Sequence, residues 1–180
     1  MSTTDATDEI EAVWRAFACE RGFDVVACSA TPLDIRLAGV VRGVPLDVHR
    51  VTTPGVSPIA HLTVKGRAAV ASTGFVRVTP ATTLSPLASR LGFDRRTTSD
   101  PEIDVTLYVE GVSDASVRAM LPSHARAALL AFAASGAFEY EHAGATARIA
   151  WDAEWPDLAR LDAAIALIVA SCGAEISERW

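Results

Sequence analysis

The sequence predicts an α+β protein: antiparallel sheet covered on one face by an N-terminal helix, a bent central helix and a C-terminal helix. Short runs with a period of two, such as Leu33, Ile35 and Leu37 alternating with Asp34 and Arg36, are the mark of half-buried strands. Apolar stripes at helical spacing stand near the two ends, Ile10, Val13, Trp14 and Phe17 in one and Leu158, Leu161, Ile165, Ile168, Val169 and Cys172 in the other. Turn-forming residues separate the short strands at close intervals, which suits a meander with one face on a core and the other in water.

Met1–Ala6 reads as a frayed lead-in, and Thr7–Arg21 as an amphipathic helix whose first-turn acids complement the helix dipole. Gly22 stands where a left-handed C-terminal cap is expected. Strands are expected at Phe23–Ala27, around Leu33–Leu37 and around Val44–Val48, where Val44, Leu46 and Val48 alternate with Pro45, Asp47 and His49. Gly39-Val40-Val41-Arg42-Gly43 supplies the turn between the last two. Thr52–Pro58 reads as a loop, Leu62–Lys65 as a strand ended by Gly66, and Phe75–Thr79 as another strand.

Pro80–Pro101 is rich in Thr, Ser and Pro, with Leu84, Leu87 and Leu91 spaced for a short helix. The chain reads as a single domain over 1–180, divisible into 1–80 (helix plus meander) and 101–180 (β-α-β-β-α) joined by a linker at 81–100. Ile103, Val105, Leu107 and Val109 alternate with Asp104, Thr106, Tyr108 and Glu110, which predicts a strand. After Gly111, Ser113 or Asp114 caps a helix carrying Val117, Met120 and Leu121. Pro122 bends it into a second piece carrying Leu129, Leu130 and Phe132 to a stop at Gly136. Phe138–His142 and Thr146–Trp151 form a hairpin about Ala143-Gly144, and Pro156 opens the last helix, ended by Gly173.

Asp100-Pro101 with the strand after it, then Val-Glu-Gly and the helix Val117–Leu121, resembles a pattern in uncharacterised bacterial proteins of unknown function. The strand Gly43–Val48 is similar to their upstream sheet. The resemblance covers the middle and C-terminal thirds and implies no catalytic residue.

Half the residues are hydrophobic and 21% are charged, which is ordinary globular usage and excludes wholesale disorder. The acidic start lacks the basic segment and apolar run of a secretory signal. The apolar run Ala163–Cys172 is far short of the roughly 20 residues that span a bilayer. Three cysteines at unrelated spacings, Cys19, Cys28 and Cys172, point to a reduced cytoplasmic interior, with Cys19 and Cys172 in or near the core.

The net charge of −6 is distributed in blocks: residues 1–35 sum to −5, 36–96 to +7 and 97–180 to −8. A basic middle between acidic flanks can bind anions, or can pack against those flanks within one molecule; the overall acidity favours the second and makes nucleic acid an unlikely partner class. Strand periodicity puts Arg36, Asp47, His49, Lys65 and Arg77 on the polar face of the sheet. Of these, Arg36, His49, Lys65 and Arg77 are the candidates for gripping a phosphate, an anionic membrane surface or an acidic partner. The bland reading is that solvent-facing strand positions take long basic side chains. The Arg95–Arg96 pair could grip an anion, but an exposed loop pair is more often merely solvated.

Catalytic motifs are missing. His49, His61, His124 and His142 show no metal-ligand spacing, although adjacent strands can bring His49 and His61 together near Asp47. There is no nucleophile elbow and no phosphate loop, and pairs such as Glu139/Glu141 and Asp152/Glu154 look solvent-facing. No cofactor is expected. Trp151 is expected to be buried, while Trp155 and Trp180 are candidate anchors for a partner. The leading expectation is a non-catalytic domain that binds another protein or itself. An anion- or lipid-headgroup-binding module is second, and an enzyme with an assembled site around Asp47 and His49 is third.

Overall fold

The computed structural model describes residues 3–30, 33–53, 59–81, 95–153 and 157–173. Helix α1 (Thr3–Arg21) begins at Thr3, so the expected frayed lead-in is largely helical, and it ends at Gly22, whose φ of 70° is the left-handed cap the sequence requires. Four strands follow as a meander: β1 (Asp24–Ala30), β2 (Leu33–Val41), β3 (Val44–Thr53) and β4 (Ile59–Arg67). The turn between β2 and β3 is only Arg42-Gly43, with Val41 opposite Val44, so Gly39-Val40-Val41 extend the strand rather than form a loop. Strand β5 (Phe75–Pro80) comes next.

The expected strand from Ile103 to Val109 is half helix. Helix α2 (Pro101–Thr106) precedes β6 (Leu107–Gly111). Asp100 caps it, its carboxylate accepting from the Glu102 and Ile103 amides, and Pro101 occupies the first turn. Capping outweighs alternation here: Ile103 is buried, while Val105 is 78% exposed, as no inward strand position would be. Ser113 then caps α3 (Asp114–Met120), and α4 (Ser123–Ala133) starts after Pro122, which stands at the cap position, one residue before the first turn. The hairpin β7 (Glu139–Ala143) and β8 (Thr146–Ala153) leads to α5 (Leu158–Ser171), capped by Asp157.

All eight strands join one antiparallel sheet in the order β1-β2-β3-β4-β8-β7-β5-β6. One transverse row of paired residues, Leu37, Val48, Val64, Ile149, Tyr140, Val78 and Val109, crosses seven strands and is wholly buried. Among the described residues the helices lie on that side: α1 on β1 and β2, α5 on β4 and β8, α3 on β5 and β6, with α4 against α5. Gly66 permits the close seat of α5 over β4, since a Cβ there would collide with Ile168 Cγ2. Trp151 is buried as expected, its ring packed edge-on against Phe132. Cys172 lies in the core, but Cys19 is exposed, because it falls on the outer face of α1 while Trp14, Phe17 and Ala18 face inward. The segment 82–94, with Leu84, Leu87 and Leu91, lies outside the described residues. Among the described residues no helix is long and apolar enough to cross a membrane.

Candidate functional site

The next transverse row points the other way. Ala38, Asp47, Lys65, Arg148, Glu141, Arg77 and Glu110 are successive cross-strand partners from β2 to β6, on the face that no helix among the described residues covers. A parallel row carries Arg36, His49, Thr63, Ala150 and Glu139. The period-two pattern thus places Arg36, His49, Lys65 and Arg77 on one bare face, spread over β2, β3, β4 and β5.

Each is met by acid differently. Arg77 stands amid three carboxylates, 3.9 Å from Glu110, 3.7 Å from Glu139 and 3.8 Å from Glu141. Arg148 completes the lattice, 2.9 Å from Glu139 and 3.6 Å from Glu141. Arg36 and His49 share Asp34, at 3.7 and 2.9 Å. Lys65 is exposed between its cross-strand partners Asp47 and Arg148. Basic and acidic side chains therefore interleave across the face, which joins the basic middle of the sequence to acids from its C-terminal block.

His49 and His61 do not converge with Asp47. His49 pairs with Asp34 and His61 with Asp152, on separate strands, and Asp47 lies opposite Lys65. Among the described residues no three His, Cys, Asp or Glu side chains are grouped to hold a metal ion. Arg95 and Arg96 are not merely solvated. Arg95 donates to the Leu107 carbonyl and Arg96 to the Gly111 carbonyl, fastening the segment before α2 along the outer edge of β6. Trp155 and Trp180 lie outside the described residues.

One charged residue escaped the reading of the sequence. Arg50 continues the inward phase of Val44, Leu46 and Val48 and is 3% exposed, between Ile35 and Leu62. Its guanidinium donates to the Thr52 hydroxyl at 2.9 Å and has no carboxylate within pairing distance among the described residues. Burial lowers its pKa accordingly. His142, inward on β7, is also buried, and desolvation pushes its pKa below the ordinary imidazole value, opposed by a hydrogen bond to the Met120 backbone. The alternation of β3, carried one residue further, marks Arg50, and His142 falls in the same phase as Phe138 and Tyr140.

The helical side carries two adjoining hollows. One, of about 920 Å³, opens between Ala71–Gly74, α3 and the end of α5; the other, of about 470 Å³, lies between the end of α1, the β2–β3 turn, α4 and α5. His124 and Ala170 border both, the His124 ring lying 3.2 Å from the Ala170 carbonyl.

No protein-family model and no curated protein matches the sequence. Among solved structures, the crystal structure of the mycobacterial trehalose monomycolate transport factor A, TtfA, is similar with a TM-score of 0.53, over 89% of this chain and 90% of that one, at 11% identity. This chain is similar to that transport factor in fold.

Proposed function

We propose that the protein is a non-catalytic docking domain that binds a protein partner, a second copy of itself included, through the bare face of its sheet. The carrying observation is the continuity of that face: successive cross-strand partners run from β2 to β6 with no helix over them among the described residues. Its middle is built from the small side chains Thr63 and Ala150, opposite one another, which leaves a flat floor against which another sheet can pack at about 10 Å.

Its charges suit exchange. The three Arg77 pairs lie at 3.7–3.9 Å, beyond hydrogen-bond distance, and are partly exposed, so each contributes little and is cheaply traded for a partner's charge. Charges so arranged select a partner and its register more than they add affinity. The interleaved acids favour this reading over an anion-binding platform, where Arg36, His49, Lys65 and Arg77 would need to act without carboxylate neighbours. The solved structure similar in fold is that of a trehalose monomycolate transport factor, which is compatible with a docking role here.

The test is Ala150→Arg, which raises a charge from the centre of the floor while leaving the core untouched. Association with the native partner, measured by sedimentation of the purified pair or of the protein alone for self-association, is expected to be lost with an unchanged melting temperature. Undiminished association in the folded variant overturns the reading.

A further inference from the structure

The smaller hollow on the helical side is apolar where it is deep and cationic where it opens. Phe23, Ile165 and Val169 form its floor, and Ala128, Ala166 and Ala170 leave its sides unfilled. At about 470 Å³ it falls within the range of small-ligand sites. Two arginines line it, and Arg21 is already neutralised by Asp162 at 2.5 Å. Arg42 is exposed and has no ion-pair or hydrogen-bond partner among the described residues.

Arg42 is also held in an unfavourable backbone conformation. Its φ is 50° and that of Gly43 is 79°, the double left-handed turn that favours Asn or Asp followed by Gly. An arginine there is a costly choice for the turn alone, and its side chain borders the groove.

We infer that this groove takes the hydrocarbon chain of a single-chain amphiphile, with the carboxylate head of that molecule paired to Arg42. The charge at the mouth selects an anionic head. The volume selects a methylene chain over a partner helix, whose body is about 10–12 Å across. The groove is on the opposite side of the sheet from the proposed docking face, so the two readings stand or fall separately.

The test is calorimetric titration of the full chain with laurate and with dodecyltrimethylammonium, which carries the same chain on a cationic head. Laurate is expected to bind about tenfold tighter or more, the weight of one charge-assisted contact. Arg42→Asn should weaken laurate by about the same factor and erase the preference, while leaving the melting temperature equal or higher, because Asn suits the turn. Ala166→Phe, at an exposed position, should block both ligands in a folded protein. Failure of laurate to bind, equal binding of the two heads, or unchanged binding in Ala166→Phe overturns the inference. So does a dimer that Ala166→Phe dissolves, which gives the groove to a second copy.

Discussion

Arg77 on β5 faces Glu141 on β7 as its cross-strand partner, their charged groups 3.8 Å apart, with Glu110 and Glu139 also within 4 Å of the same guanidinium. Removing the cation leaves three carboxylates together on the half-buried face. Arg77→Gln is expected to cost about 1 kcal/mol in urea unfolding, at the upper end for a surface pair because three carboxylates lose a neighbouring cation and Arg148 is left to serve Glu139 and Glu141. Adding Glu141→Gln should restore part of that loss, and raised salt should shrink it.

The buried cation on the other face carries the opposite expectation. Among the described residues Arg50 has only the Thr52 hydroxyl to offset its desolvation, so Arg50→Met should stabilise the protein by about 1–3 kcal/mol. Denaturant midpoints with unchanged slope check this; a destabilised Arg50→Met would mean that the charge is compensated in the folded state.

His142 makes stability depend on pH. Its folded pKa lies below the ordinary 6.5, so the unfolded chain binds more protons as the solution is acidified. The contribution is complete above about pH 6.5 and is lost as the pH falls from there toward the folded pKa. The difference in unfolding free energy between pH 7.5 and 5.5 should be smaller in His142→Gln than in the parent; an identical difference contradicts the assignment.

Gly66→Ala should cost about 1–3 kcal/mol, the range for overpacking, because the new Cβ meets Ile168 and lies 3.0 Å from Leu46 Cδ2. Thermal unfolding measures it, and the cost should shrink when Gly66→Ala is made in an Ile168→Ala background, which lacks the clashing Cγ2 methyl.

Asp100→Ala should cost about 1 kcal/mol and speed amide exchange in residues 102–106, since it removes the acceptor for the first α2 amides. Unaltered exchange there would show that the cap is idle.

That helix also shows where the sequence misleads. Ile103, Val105, Leu107 and Val109 satisfy a period of two, yet Asp100-Pro101 with acids at 102 and 104 is a helix start, and a local cap decided the first turn. Alternation was reliable wherever both faces had distinct solvents: Val44, Leu46 and Val48 face the helices, while Asp47 and His49 face out. Carried one step further, the same phase reaches Arg50. The strand order was not legible, because β4 meeting β8, and β5 lying between β6 and β7, depend on pairings between residues distant in sequence. The groove was hidden for a similar reason: its walls are small side chains from α4 and α5 with the ends of α1 and β2, and no local pattern links them.

The docking face is tested most directly by a photo-crosslinking residue placed at Thr63, in the floor of the bare face, with Ala127, exposed on α4, as the control position. In the organism that makes the protein, irradiation should join Thr63 to one defined polypeptide, the partner or a second copy, with no such adduct from Ala127. Adducts of equal yield from both positions, or none from Thr63, would contradict the account.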